Sequence, residues 1–87
     1  MITKTKIVSG IKITNVDSFY VAPDGEKFTI RTITRSDAVE PVYVTFRGGW
    51  RHKEYVRKSS VRAYIIKYDL REVASHDEGE MKSELRN

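Results

Sequence analysis

Apolar residues recur at every second position through most of this chain. Ile11 and Ile13 alternate with Lys12 and Thr14, Phe19 and Val21 flank Tyr20, and Phe28 and Ile30 alternate with Thr29 and Arg31. Val42, Val44 and Phe46 likewise alternate with Tyr43, Thr45 and Arg47. Successive side chains of a strand point to opposite faces, so this period specifies half-buried strands. Four short strands are expected before Gly48. Ala22-Pro23-Asp24-Gly25 predicts a turn between strands ending at Val21 and starting near Glu26, because Pro presets φ and Gly accepts a positive φ. Gly48-Gly49 predicts a second hairpin. With a three-residue loop, Phe46 faces Trp50 while Tyr43, Thr45, Arg51 and Lys53 share the other side. The polar stretch from Thr34 to Glu40, ahead of Pro41, reads as an exposed loop.

Residues 59–73 fit two templates. As a strand, Tyr64, Ile66, Tyr68 and Leu70 line one face; as a helix capped by Ser59 or Ser60, Val61, Tyr64, Ile65 and Tyr68 share one side. The density of aromatic and β-branched residues favours the strand. From Ala74 onward the large apolar residues are Met81 and Leu85 alone, which predicts a frayed tail or a short helix that docks only on a partner. The expected fold is a mostly β single domain over residues 1–73 with a charged tail over residues 74–87. Five to seven short strands should form a small barrel or rolled antiparallel sheet of SH3-like or OB-like kind.

At 87 residues the chain has room for one modest core, burying roughly 60–65% of its unfolded surface, so a homodimer would add burial that it lacks. It has no Cys, which removes a disulfide framework and thiolate metal sites and suits a reducing compartment. Lysines interrupt the apolar residues of the first fourteen positions, so no secretory h-region or membrane span is read there, and the expected location is the cytoplasm.

Charge is concentrated. Residues 47–67 hold Arg47, Arg51, Lys53, Arg57, Lys58, Arg62 and Lys67 against a single acid, Glu54, whereas residues 68–87 hold three cations against six acids. A local positive field attracts polyanions or acidic protein faces. Aromatic rings beside such cations suit stacking on unpaired bases. Tyr43, Arg47, Trp50, Arg51, Lys53, Tyr55, Arg57, Lys58 and Arg62 are therefore the candidate binding residues for nucleic acid or a nucleoprotein complex, and a non-enzymatic binding module is the leading expectation. The alternative is a regulator or inhibitor of a host protein, with Trp50, Tyr55, Arg51 and Arg57 meeting an acidic groove, since Trp, Tyr and Arg dominate such interfaces. The bland account is a solvated sheet face with Trp50 in the core.

His52 and Glu54 stand at strand spacing on one side, about 7 Å apart. A third reading follows: acid and base of a metal-independent ribonuclease or toxin, with Arg51, Arg57 or Lys58 stabilising a phosphorane. An exposed pair that only aids solubility is the simpler account, and no sequence motif supports the catalytic one. Ser59-Ser60 lacks a nucleophile-elbow context, and Gly48-Gly49 lacks the spacing of a phosphate loop. His76 near Asp77, Glu78 and Glu80 reads as a flexible acidic tail before a cation site. Tethered to the basic centre, that tail is expected to compete with a bound polyanion. No cofactor or metal is implied. In size and composition the chain is similar to small phage-encoded proteins that bind and redirect or block host machinery, a likeness that no motif carries.

Overall fold

The computed structural model describes residues 1–76. Its elements run β1 (Ile2–Val8), β2 (Ile11–Val21), β3 (Lys27–Arg35), β4 (Val42–Arg47), β5 (His52–Val56), α1 (Lys58–Lys67) and β6 (Arg71–Val73). The strands make one antiparallel sheet in the order β1-β2-β3-β4-β5. β2 is its spine. One edge of β2 pairs with β3 from Ile13 to Val21; the other is shared end to end, β1 taking Ile11–Asp17 and β6 taking Phe19–Val21. The path does not close, so of the two expected forms the molecule is the rolled sheet and not the barrel. Among the described residues no helix is long and apolar enough to cross a membrane.

The alternation located these strands but divided them differently. The Ile11–Thr14 and Phe19–Val21 runs belong to the single eleven-residue β2. β1, left unassigned by the pattern, is fully exposed because it is an edge with both faces open. Its two-residue link to β2, Ser9-Gly10, has positive φ at both positions, the requirement of a type I′ hairpin. The loop predicted at Thr34 begins later, as β3 runs on to Arg35. The turn at Ala22–Gly25 forms as expected: Gly25 N–H donates to the Ala22 carbonyl at 2.9 Å, and Gly25 adopts φ +90°.

Cross-strand register sorts the side chains onto two faces. On the first, Tyr20, Phe28, Arg47 and His52 lie in one row and Ser18, Ile30, Thr45 and Glu54 in the next. On the second, Phe19, Thr29, Phe46 and Lys53 form a row with Val73, followed by Asp17, Arg31, Val44 and Tyr55. The core is Phe28 and Ile30 on the first face and Phe19, Val44 and Phe46 on the second. Burying a side chain such as Phe28 contributes roughly 1.5–3 kcal/mol.

Residues 58–67 are helical, correcting the strand reading. The reason is tertiary: α1 lays Tyr64 and Tyr68 against Phe28, with ring centroids at 6.0 and 5.1 Å. A further strand would pair at an edge and leave that face of the sheet uncovered. The helix begins after Arg57, whose extended backbone is the N-cap, with no side-chain cap hydrogen bond. Ser59 and Ser60 thus lie inside the first turn instead of capping it. At the other end Asp69 takes φ +52°, its N–H donates to Ile66 O and that of Leu70 to Ile65 O. These two bonds are the Schellman pattern, which reverses the chain into β6. The Met1 nitrogen then donates to the Ala74 carbonyl at 3.1 Å. The expectations for the tail, including Met81, Leu85 and the acids Asp77, Glu78 and Glu80, lie outside the described residues.

On the second face Arg31 is held by Asp17 through two hydrogen bonds, Nε–Oδ1 at 2.7 Å and Nη2–Oδ2 at 3.0 Å. Asp17 is buried, while the Arg31 side chain keeps 28% of its exposure. Removing one member of a fully buried pair costs about 3–5 kcal/mol; partial access for Arg31 lowers that. Asp17→Ala should therefore destabilise the fold by about 2–4 kcal/mol, a fall in Tm of roughly 10–20 °C by circular dichroism, and Asp17→Ala with Arg31→Met should recover part of it.

Edge strand β1 carries Lys4 and Lys6 on either side of Thr5. A second copy pairing antiparallel about Thr5 would set Lys opposite Lys, a repulsion that protects an open edge. Lys4→Val with Lys6→Val should produce concentration-dependent self-association in sedimentation velocity, where the parent chain shows less.

Candidate nucleic-acid interface

The β4–β5 turn has four residues, not three. Arg47 pairs with His52 and Phe46 with Lys53, so Lys53 shares the second face with Phe46 while Tyr43 and Thr45 stay on the first. Phe46 therefore faces Lys53 across the hairpin and not Trp50 as a three-residue loop would give, yet Trp50 folds back from the turn to make a T-shaped pair with it, centroids at 4.7 Å. Gly48 and Gly49 adopt φ +65° and +75°, and Gly49 N–H donates to the Lys27 carbonyl at 2.9 Å. Glycine makes this turn because both positions require the left-handed region.

This register divides the nine candidate residues into three groups. The first lies at the hairpin: Trp50 against Phe46 and Arg51 beside it in the turn, then Lys53 and Tyr55 on the second face of β5. Trp50 is 53% exposed and Tyr55 65% exposed. The Lys53 ammonium lies 5.4 Å from the Tyr55 ring centroid. Trp50 is therefore neither a core residue nor free in solvent, since Phe46 supports one side of it. Arg31, outside the basic segment and ion-paired with Asp17, also lies here, its guanidinium 5.2 Å from the centroids of both Phe46 and Trp50. Its place is set by Asp17, fourteen residues away, so no local spacing signals it.

The second group is Arg47 alone, on the opposite face. Its Nε donates to both carboxylate oxygens of Glu26 at 3.2 Å, and its guanidinium lies 5.1 Å from the Tyr68 ring. The Glu26 hydrogen bond holds Arg47 above its ordinary pKa. The third group sits at the start of α1. Tyr43, Lys58 and Arg62 border a groove of about 390 Å³ with Val61 and Ile65, and Arg57, Lys58 and Arg62 border a wider one of about 1070 Å³ with Val39, Pro41 and Val42. Arg51, Lys53, Arg57, Lys58 and Arg62 form no ion pair among the described residues. The cations are thus spread over two regions, and Arg47 is the member of the nine neutralised by a carboxylate.

Between β5 and α1 lies a separate groove of about 400 Å³, bordered by Glu26, Arg47, His52, Glu54, Tyr64 and Tyr68. His52 and Glu54 share this face, as strand spacing requires. Burial pushes the Tyr64 phenol up, the side-chain hydrogen bond with Thr45 opposing it; burial also raises Tyr20, with the Glu72 charge adding to it. Among the described residues no three His, Asp or Glu side chains are placed to hold a metal ion.

A tyrosine raised in the folded state stays protonated while its unfolded counterpart ionises near pH 10. Stability from Tyr64 and Tyr20 is therefore complete below about pH 10 and lost as pH climbs through their folded values. Urea titrations from pH 8 to 11 should show this alkaline loss, and Tyr64→Phe should make it shallower. The chain matches no protein-family model, no curated protein and no solved structure, so its site is read from geometry.

Proposed function

We propose that this protein binds single-stranded nucleic acid, free or within a nucleoprotein complex, on the outer side of the β4–β5 hairpin. The observation that carries the reading is the cluster of Trp50, Arg51, Lys53 and Tyr55 at the hairpin: two half-open rings beside an edge strand, with two cations that form no ion pair among the described residues. Each base offers a π face, so stacking on Trp50 and Tyr55 tolerates any sequence, while Arg51 and Lys53 meet the phosphates between bases. The support from Phe46 and Arg31 holds the indole in place before a ligand arrives, which lowers the ordering cost of binding. Arg57, Lys58 and Arg62 extend the positive field at the far end of β5 and attract the strand from a distance. A Cys-free chain suits the reducing cytoplasm for this role.

An acidic protein groove would engage the same Trp, Tyr and Arg side chains, and salt and nuclease separate the two. With a labelled single-stranded oligonucleotide, anisotropy should give a log–log salt slope of about 0.7 for each phosphate contacted. Trp50→Ala and Tyr55→Ala should each weaken binding about 5- to 150-fold, the equivalent of ~1–3 kcal/mol per stacked base. Quenching of the single Trp should report the same isotherm. Affinity unchanged by both substitutions, or a stoichiometric lysate complex that survives nuclease, would overturn the nucleic-acid reading.

A further inference from the structure

The geometry points to a reaction on the other side of the same hairpin: the groove between β5 and α1 is a site for metal-independent cleavage of RNA, with Glu54 as base and His52 as acid. This rests on the binding reading above, since the strand held by Trp50 and Tyr55 is the strand that would be cut. β5 is the edge of the sheet, so its two faces are one strand's thickness apart. Lys53 and Tyr55 point to one face, and His52 and Glu54 to the other. Lys53 also borders the groove and links the two surfaces. A single strand that crosses this edge passes from stacking rings to the acid–base pair.

The groove has the composition that transesterification of a phosphodiester requires. Its volume of about 400 Å³ falls within the ~300–1,000 Å³ of small-ligand sites. His52 and Glu54 are two strand rises apart, about 7 Å, which allows one on each side of a phosphorus. Both are exposed, and neither side chain has a hydrogen bond or ion pair among the described residues. Nearby Arg47 is fixed through its Nε by Glu26, which leaves four other guanidinium N–H groups as donors. Tyr64 of α1 and Tyr68 at its C-cap bring two phenolic groups, and the packing of those rings on Phe28 fixes them.

Each group then has a role. The Glu54 carboxylate accepts the proton of a ribose 2′-hydroxyl, and the oxygen attacks the adjacent phosphorus. As the O2′–P bond forms, the P–O5′ bond breaks, and the His52 imidazolium gives its proton to the departing O5′. The products are a 2′,3′-cyclic phosphate and a free 5′-hydroxyl; Glu54 releases one proton to water and His52 takes one up, so the balance closes with no co-reactant. Arg47 donates to the phosphorane oxygens, where charge accumulates. DNA lacks the nucleophile, so it binds and is not cut.

The test uses the full chain in EDTA with a labelled single-stranded RNA, the DNA of the same sequence, and an RNA carrying one 2′-deoxy residue. RNA cut to 2′,3′-cyclic phosphate ends, with the DNA intact and no cut at the deoxy position, is the expected result. His52→Gln and Glu54→Gln, both at exposed positions, should each slow cleavage about 100-fold or more while anisotropy shows unchanged binding. Trp50→Ala should raise KM and leave kcat within a few fold. RNA bound normally and left intact would overturn cleavage while sparing the binding reading, whereas loss of all RNA and DNA binding would remove both. Cleavage that persists in both Gln variants would also overturn the assignment.

Discussion

The double use of one strand edge organises this molecule. β2 offers eleven residues of backbone, more than either β1 or β6 can pair with alone, and the two divide it between Asp17 and Phe19. For β6 to reach that edge, the chain leaving β5 must return across the sheet. α1 makes that crossing over Phe28, and the Schellman turn at Asp69 ends it. The backbone groups of β2 demand partners, and meeting that demand lays α1 over Phe28 and forms one wall of the groove beside His52 and Glu54.

The second face depends on a different kind of constraint. Asp17 is buried and needs a cation; Arg31 supplies it through two hydrogen bonds. The guanidinium so fixed lies beside Phe46 and Trp50. Cation and ring reinforce each other where water is partly excluded. A part-buried ion pair thereby places an exposed indole, linking the stability of the sheet to the surface proposed to bind nucleic acid. Arg47 serves the first face similarly: Glu26 anchors it, and Tyr68 receives it.

The β5 edge gives the hairpin two different surfaces. Alternation along five residues sends Lys53 and Tyr55 one way and His52 and Glu54 the other. Rings and cations on one side suit holding a strand, while imidazole, carboxylate, guanidinium and phenols on the other suit acting on it. Among the described residues Arg51, Lys53, His52 and Glu54 form no ion pair, whereas Arg31, Arg35 and Arg47 have carboxylate partners that hold them in place.

The sequence alone determined the β class, the turns at Ala22–Gly25 and Gly48-Gly49, and the shared face of His52 and Glu54. Each depends on residues near one another in the chain, where period two and turn chemistry act directly. Tertiary structure decided the rest. Val61, Tyr64, Ile65 and Tyr68 suit a helix or a strand by local preference; the need to cover Phe28 chose the helix. A fourth residue in the β4–β5 turn moved Lys53 to the face of Phe46, because one added residue inverts the side-chain alternation that follows. Charge counting grouped Arg47 with its neighbours, yet Glu26 lies across a hairpin and claims it. It also passed over Arg31, since the carboxylate and rings that place it come from β2, β4 and the turn, and only folding brings them together.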